Sequence, residues 1–313
     1  MANSDRMPTR RRGRSALAKE DARNFWLFLS PWIIGFLLFG IGPLVASLVL
    51  SFTNYNIFNK PRFVGLANYR ELFWTDPLVY KALWNTLFYT VFAVPLGLCF
   101  ALCLALLLNQ KVRGLPVWRT IFYLPTVVSG VAMAVLWRWI FNPQVGLLNT
   151  LLHPLLVLFH LPNPQWLIDP VLAKPAYVLM SLWGLGGAMI VFLAGLQGIP
   201  QHLYEAAEMD GAGPGRRFLH VTLPMLSPVI LFNLTMGIIS SFQIFAQAYV
   251  MTGNGPDNST LFYVLYLFDE AFRYFRMGYA SALAWVLFVI VLLVTAGQFW
   301  LARQWVYYEG GAR

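Results

Sequence analysis

ALWNTLFYTVFAVPLGLCFALCLALLLNQ, residues Ala82–Gln110, runs for 29 positions without an Asp, Glu, Lys, Arg or His. A bilayer hydrocarbon core about 30 Å thick is crossed by roughly 20 helical residues, so this stretch is longer than a crossing needs. It has company. Charge-free runs also cover 24–59, Thr120–Trp137, Pro175–Tyr204, Phe218–Pro256 and Met277–Ala302. Over all 313 residues 58% are hydrophobic and 11% are charged. Soluble domains carry about 25% charged residues, so this chain cannot cover a water-facing surface. The fold class expected is all-α, a polytopic membrane protein with six transmembrane helices at about 26–51, 84–109, 118–141, 174–197, 219–247 and 279–302.

The net charge of +9 follows this plan and is not that of a nucleic-acid binder. With the N-terminus inside, the cytoplasmic segments hold Arg6, Arg10, Arg11, Arg12, Arg14, Lys19, Arg23, Lys111, Arg113, Arg119, Arg216, Arg217, Arg303 and Arg313, 14 of the 22 basic residues. The remaining 8 are spread over longer loops, and a basic excess marks the cytoplasmic side. Residues 1–24 read as a disordered basic cytoplasmic tail ahead of a retained anchor, 25–305 as the six-span domain, and 306–313 as a second cytoplasmic tail. Gln144–Ile168 is uncharged too, but Pro143, Pro154, Pro162 and Pro164 break it. The short apolar helix left over suits the membrane interface better than a crossing.

Catalytic chemistry is hard to place. His153, His160, His202 and His220 fall at no metal-ligand spacing, and Gly211–Arg217, though Gly-rich, lacks the Lys-Ser/Thr of a phosphate loop. Cys99 and Cys103, four apart in an apolar run, read as small packing residues. The six spans contain no Asp or Glu, which argues against a carrier driven by an intramembrane ion site. Arg138, flanked by Trp137 and Trp139, reads as an interface arginine. A transporter without an intramembrane ion site needs energy from elsewhere.

Two segments carry more. Pro200 starts a short helix at Gln201, with Leu203, Ala206 and Ala207 on one face and Glu205 and Glu208 beside it. Gly211 and Gly213 end it, because glycine readily takes the left-handed closing conformation. This is either an ordinary interfacial connector or a helix that fits a groove on another protein. On the fifth span Asn233, Gly237, Ser240, Ser241, Ile244 and Gln247 fall within about 120° of arc at 100° per residue. Polar groups avoid lipid, so the stripe should face protein or an aqueous cavity.

Glu205-Ala206-Ala207, Gly211, Val221 and Leu223-Pro224 stand at the spacing of the cytoplasmic signature of ABC importer permeases, which this chain resembles. Val221 replaces the usual Ile. Tyr204, Met209-Asp210-Gly211-Ala212-Gly213, Thr222-Leu223-Pro224, 63–69, 146–149 and Thr252-Gly253-Asn254-Gly255-Pro256 are similar to the carbohydrate-uptake subfamily, of the lactose, multiple-sugar or glycerol-phosphate type. Asn254 stands where that subfamily often has Gly. The resemblance implies a type I ABC importer permease fold in a bacterial inner membrane, serving uptake of a sugar or oligosaccharide. It implies as partners a second related permease, two ATPase subunits that bind ATP and Mg²⁺, and an extracytoplasmic solute-binding protein, with membrane lipid around them. The chain itself would hold no cofactor or metal and would be no enzyme.

By the same resemblance the coupling helix, about 201–211, meets the ATPase through Glu205, Ala206, Ala207, Asp210, Gly211, Leu223 and Pro224. A mid-membrane pocket would involve Trp183, Gly184, Gly187, Gly237, Ser241 and Gln243, with amides and hydroxyls for sugar hydroxyls and an aromatic face for C–H surface. The runner-up is the same machinery importing glycerol 3-phosphate or another polar solute. A membrane enzyme or channel with a chance match in the fourth loop is the alternative of a different class.

Overall fold

The structure, a computed structural model, describes residues 16–110 and 113–307. The expected basic tail lies outside the described residues as far as residue 15, and so do 308–313. Helix α1 begins at Ala16 (Ala16–Gly35), inside the segment read as a tail, and continues through a π-helical turn, Phe36–Ile41, into α2 (Gly42–Ser51). Two residue pairs of antiparallel strand follow, β1 (Thr53–Asn54) with β2 (Arg62–Phe63), and then the short α3 (Ala67–Arg70). Helix α4 (Pro77–Leu108) is the second span; Asp76 caps it by accepting from Leu78 N (2.9 Å), and Pro77 occupies the first turn, where a missing N–H costs nothing.

The third, fourth and fifth spans are broken, which the continuous apolar runs do not predict. α5 (Leu115–Val127) and α6 (Gly130–Ile140) meet at 99°, with Ser129 capping α6. After the short α7 (Leu147–Leu158), α8 (Pro170–Ser181) passes through a tight turn into α9 (Gly186–Gln197) with a 49° bend. α10 (Gln201–Met209), α11 (Pro214–Arg217) and α12 (Leu223–Met225) lead into α13 (Ser227–Phe242) across a 64° bend. The fifth span was expected to reach Gln247, but α13 stops at Phe242 and the chain breaks before α14 (Ala246–Met251). α15 (Tyr263–Phe268) precedes the last span, α16 (Met277–Ala302). Among the described residues three unbroken helices and three bent pairs thus make six crossings, each pair counted as one. At 12 residues, α7 is too short to cross, as expected.

The breaks coincide with close helix approaches. A Cβ on Gly186 would lie 2.6 Å from Phe122 O, so the start of α9 rests directly on the α5 backbone. At the far end a second latch ties the loops together. Asp76 accepts from the Tyr279 hydroxyl (2.6 Å) and from Tyr266, while Arg276 donates to Glu71 (2.5 Å) and Glu270 (3.1 Å). Burial raises the Glu270 carboxyl above the usual carboxylate range, and Arg276 opposes that shift. The connector 52–76 is thereby held to the segment before α16.

Candidate functional site

Helices α4, α9 and α13 pack against one another around a cavity of about 670 Å³. Glycines set its shape. A Cβ on Gly97 would come within 3.2 Å of Leu185, and one on Gly237 within 3.0 Å of Val94 Cγ1, so both glycines mark where helices touch. Gly184 and Gly187, by contrast, have nothing within 4 Å of a Cβ position and leave open space. Ser241 Oγ donates to Thr90 Oγ1 (2.9 Å) and is buried, a bond that ties α13 to α4. The stripe is therefore part glue and part cavity wall: Asn233, Gly237, Ser240 and Ser241 line the space, and Ile244 and Gln247 reach it from beyond the end of α13.

Five of the six pocket residues expected from the sequence come together here: Gly184, Gly187, Gly237, Ser241 and Gln243. Trp183 does not line the cavity. It stands edge-on to Trp137, ring centroids 6.2 Å apart and planes at 73°. It lies in the tight turn Leu182–Gly184, where three residues per turn replace 3.6 and the phase carried down from α8 is lost. The contribution of α4, through Tyr89, Ala93, Val94 and Gly97, was missed. Its sequence signal, small and polar Thr86, Thr90 and Gly97 along an otherwise apolar helix, is faint.

Among the described residues no charged side chain lines this cavity. The side-chain amides of Gln243 and Gln247 have no hydrogen-bond partner among the described residues, so donors and acceptors stand ready for a polar solute. Such a space, apolar walls with a few convergent polar groups and several hundred Å³ in volume, is the usual form of a small-molecule site. Among the described residues no group of three or more His, Cys, Asp or Glu gathers to hold a metal ion.

The fourth loop folds as its residues require. Pro200 precedes the first residue of α10, and Gly211 takes φ +75° just past its end. Gly211 N donates to Glu208 O (2.9 Å) and Ala212 N to Ala207 O (2.9 Å), the two reciprocal bonds of a glycine-closed helix terminus. Glu205 and Ala206 are exposed, Ala207 is half-buried, and Asp210 caps the end, exposed. Glu205 has no hydrogen bond or ion pair among the described residues, whereas Glu208 pairs with Arg217. Met209 projects with 90% of its surface exposed. Tyr204 bonds Thr222 Oγ1 across 3.0 Å, just before the half-buried Leu223 and Pro224, so the small helix is fastened to the entry of the fifth span.

Comparison with known proteins gives consistent matches. The family model described as "Binding-protein-dependent transport system inner membrane component" matches residues 81–307. The probable ABC transporter permease protein YesP of Bacillus subtilis (strain 168) is 44% identical over 302 residues, 95% of this chain and 96% of the relative. The lactose transport system permease protein LacF of Rhizobium radiobacter is 37% identical, over 93% of this chain and 98% of its own length. Among solved structures, a chain of a bacterial ABC transporter involved in the import of the acidic polysaccharide alginate superimposes with a TM-score of 0.80. It is 24% identical, and the match covers 93% of this chain and 99% of that one, a likeness of fold.

Proposed function

The chain belongs to the family of binding-protein-dependent transport system inner membrane components, and we propose that it forms the translocation path for a neutral sugar or oligosaccharide. The observation that carries this reading is the cavity at α4, α9 and α13, whose apolar walls carry hydroxyls, amides and glycines and, among the described residues, no charged side chain. An uncharged polyol finds hydrogen-bond partners there. A phosphorylated one would leave its anion without a cation, and an unpaired buried charge is costly. That is the physical ground for preferring a sugar to glycerol 3-phosphate, and the lactose permease relative points the same way.

Energy enters at α10. In this reading a separate ATPase subunit, which alone holds ATP and Mg²⁺, receives Glu205, Ala206, Ala207 and the exposed Met209 in a groove. The turn at Asp210 and Gly211 sets the angle of entry. Movement of α10 passes through the Tyr204–Thr222 bond to Leu223, Pro224 and α13, which forms one wall of the cavity. Closure of the ATPase pair then biases a two-state rearrangement between inward- and outward-open forms. A second related permease would complete the path, a solute-binding protein would deliver the sugar outside, and both termini would be cytoplasmic.

The test uses proteoliposomes holding the chain with its second permease, ATPase and binding protein. Neutral oligosaccharide should enter with ATP hydrolysis. Gly187→Leu, which places a side chain in the open space, should stop uptake and leave basal hydrolysis intact. Uptake that needs no ATP would sink the importer reading. ATP-driven import of glycerol 3-phosphate but no sugar would move the assignment to the phosphorylated solute.

A further inference from the structure

Away from the cavity, a second hollow of about 440 Å³ lies between the first and last spans. Leu48 of α2, Tyr69 and Phe73 of the connector, and Trp285, Val286, Val289 and Ile290 of α16 line it. Its two polar groups are turned away to partners on α2. The Tyr69 hydroxyl pairs with Ser51 Oγ (2.8 Å), and Trp285 Nε1 donates to Ser47 Oγ (3.2 Å). Nothing that enters finds a free hydrogen-bonding group, so the hollow accepts hydrocarbon.

We infer that this groove holds one acyl chain of a membrane phospholipid. Its open side continues into exposed apolar surface: Val45 and Val49 on one flank are 48% and 58% exposed, and Leu292 and Leu293 on the other 53% and 65%. A transmembrane helix, about 10–12 Å across, is too thick for a slot between two spans already in contact, whereas a single acyl chain is slender enough. The slot differs from ordinary lipid-facing surface in being bounded on three sides. Both spans wall it, and Tyr69 and Phe73 roof it from the connector, at the depth where aromatic side chains meet headgroups. Packing contacts here hold a chain that annular lipid lacks, since dispersion rather than water exclusion discriminates inside a membrane. The inference rests on the chain's embedding in a bilayer and is independent of which solute it carries.

The experiment places the photoreactive residue p-benzoylphenylalanine at Val289 or, as a control, at Leu293 in the assembled complex. The complex is reconstituted in nanodiscs of palmitoyl-oleoyl phosphatidylglycerol, moved into detergent, washed, irradiated and weighed by intact-mass spectrometry. Val289 should yield a phosphatidylglycerol adduct and Leu293 a detergent adduct. Val286→Trp, which fills the slot, should abolish the lipid adduct at Val289. A detergent adduct at Val289 would show ordinary lipid-facing surface, and an adduct to the second permease would show a protein contact; either overturns the inference. Failure of sugar uptake in the earlier test would leave this result untouched.

Discussion

Gly211 shows how much one residue can decide. Its φ of +75° disfavours side chains with a Cβ, by about 1–2 kcal/mol, and most for a β-branched one. Gly211→Val should insert normally yet lose the ATP hydrolysis stimulated by the binding protein, while Gly211→Asn, which tolerates this backbone, should keep most of it. Equal stimulation in both variants would make α10 a plain connector. Glu205 is singled out by its place in the family signature, and the structure leaves it exposed with no hydrogen bond or ion pair among the described residues; in the proposed reading its partner lies on the ATPase. Glu205→Ala should therefore leave the chain's own thermal unfolding unchanged while weakening stimulated hydrolysis; a fall in the isolated chain's Tm would mean that the carboxylate works internally. Gly237 is a different case, because a Cβ there would crowd Val94. Gly237→Leu should lower Tm through overpacking, by about 1–3 kcal/mol, and Val94→Ala should restore part of it. A Gly237→Leu variant of native Tm would place this glycine on open cavity wall.

At the scale of elements, the crossings were legible and their breaks were not. Apolar composition counts residues available to cross a bilayer, and it does so whether or not the backbone bends among them. What bends the third span is local, a proline at 125 and the Ser129 cap, and the fourth turns where Gly186 lets α9 settle on Phe122 and Tyr123. The cavity followed the same pattern. Residues in phase on α13 were found, as were Gly184 and Gly187; Trp183, within the turn Leu182–Gly184, was misplaced, and those on α4 had no partner in sequence to reveal them. The loop latch is another arrangement of elements distant in sequence. Removing its cation, Arg276→Ala, leaves buried Glu270 unpaired, at a cost of about 1–3 kcal/mol. Because burial holds the Glu270 pKa high, protonation favours the folded chain, and stability falls as pH rises through that value. The Tm deficit of Arg276→Ala should accordingly shrink in mildly acidic buffer and widen toward neutral. A deficit independent of pH would assign the loss to Arg276 packing on the Tyr279 ring instead.

For the whole molecule, the uneven distribution of basic residues predicts that the chain's ends and the loop carrying α10 are cytoplasmic. Cysteines placed singly at Asn59 and Gly215, after replacing Cys99 and Cys103, test this with an impermeant reagent on intact cells. Asn59, exposed in the connector, should react and Gly215 should not; the reverse pattern would invert the molecule. Asn68 in the same connector is unsuited to such a probe, because it is buried, its amide donating to Ser51 O (2.8 Å) and Thr53 O (2.9 Å). Met209 carries the last consequence. In the proposed assembly the ATPase covers this thioether, nine-tenths bare at the end of α10. On a copy made in excess of its partners the bare side chain should act as a degradation signal, an apolar handle for membrane proteases. Pulse-chase should find the orphan copy short-lived, and Met209→Gln should lengthen its life without any change in the assembled fraction.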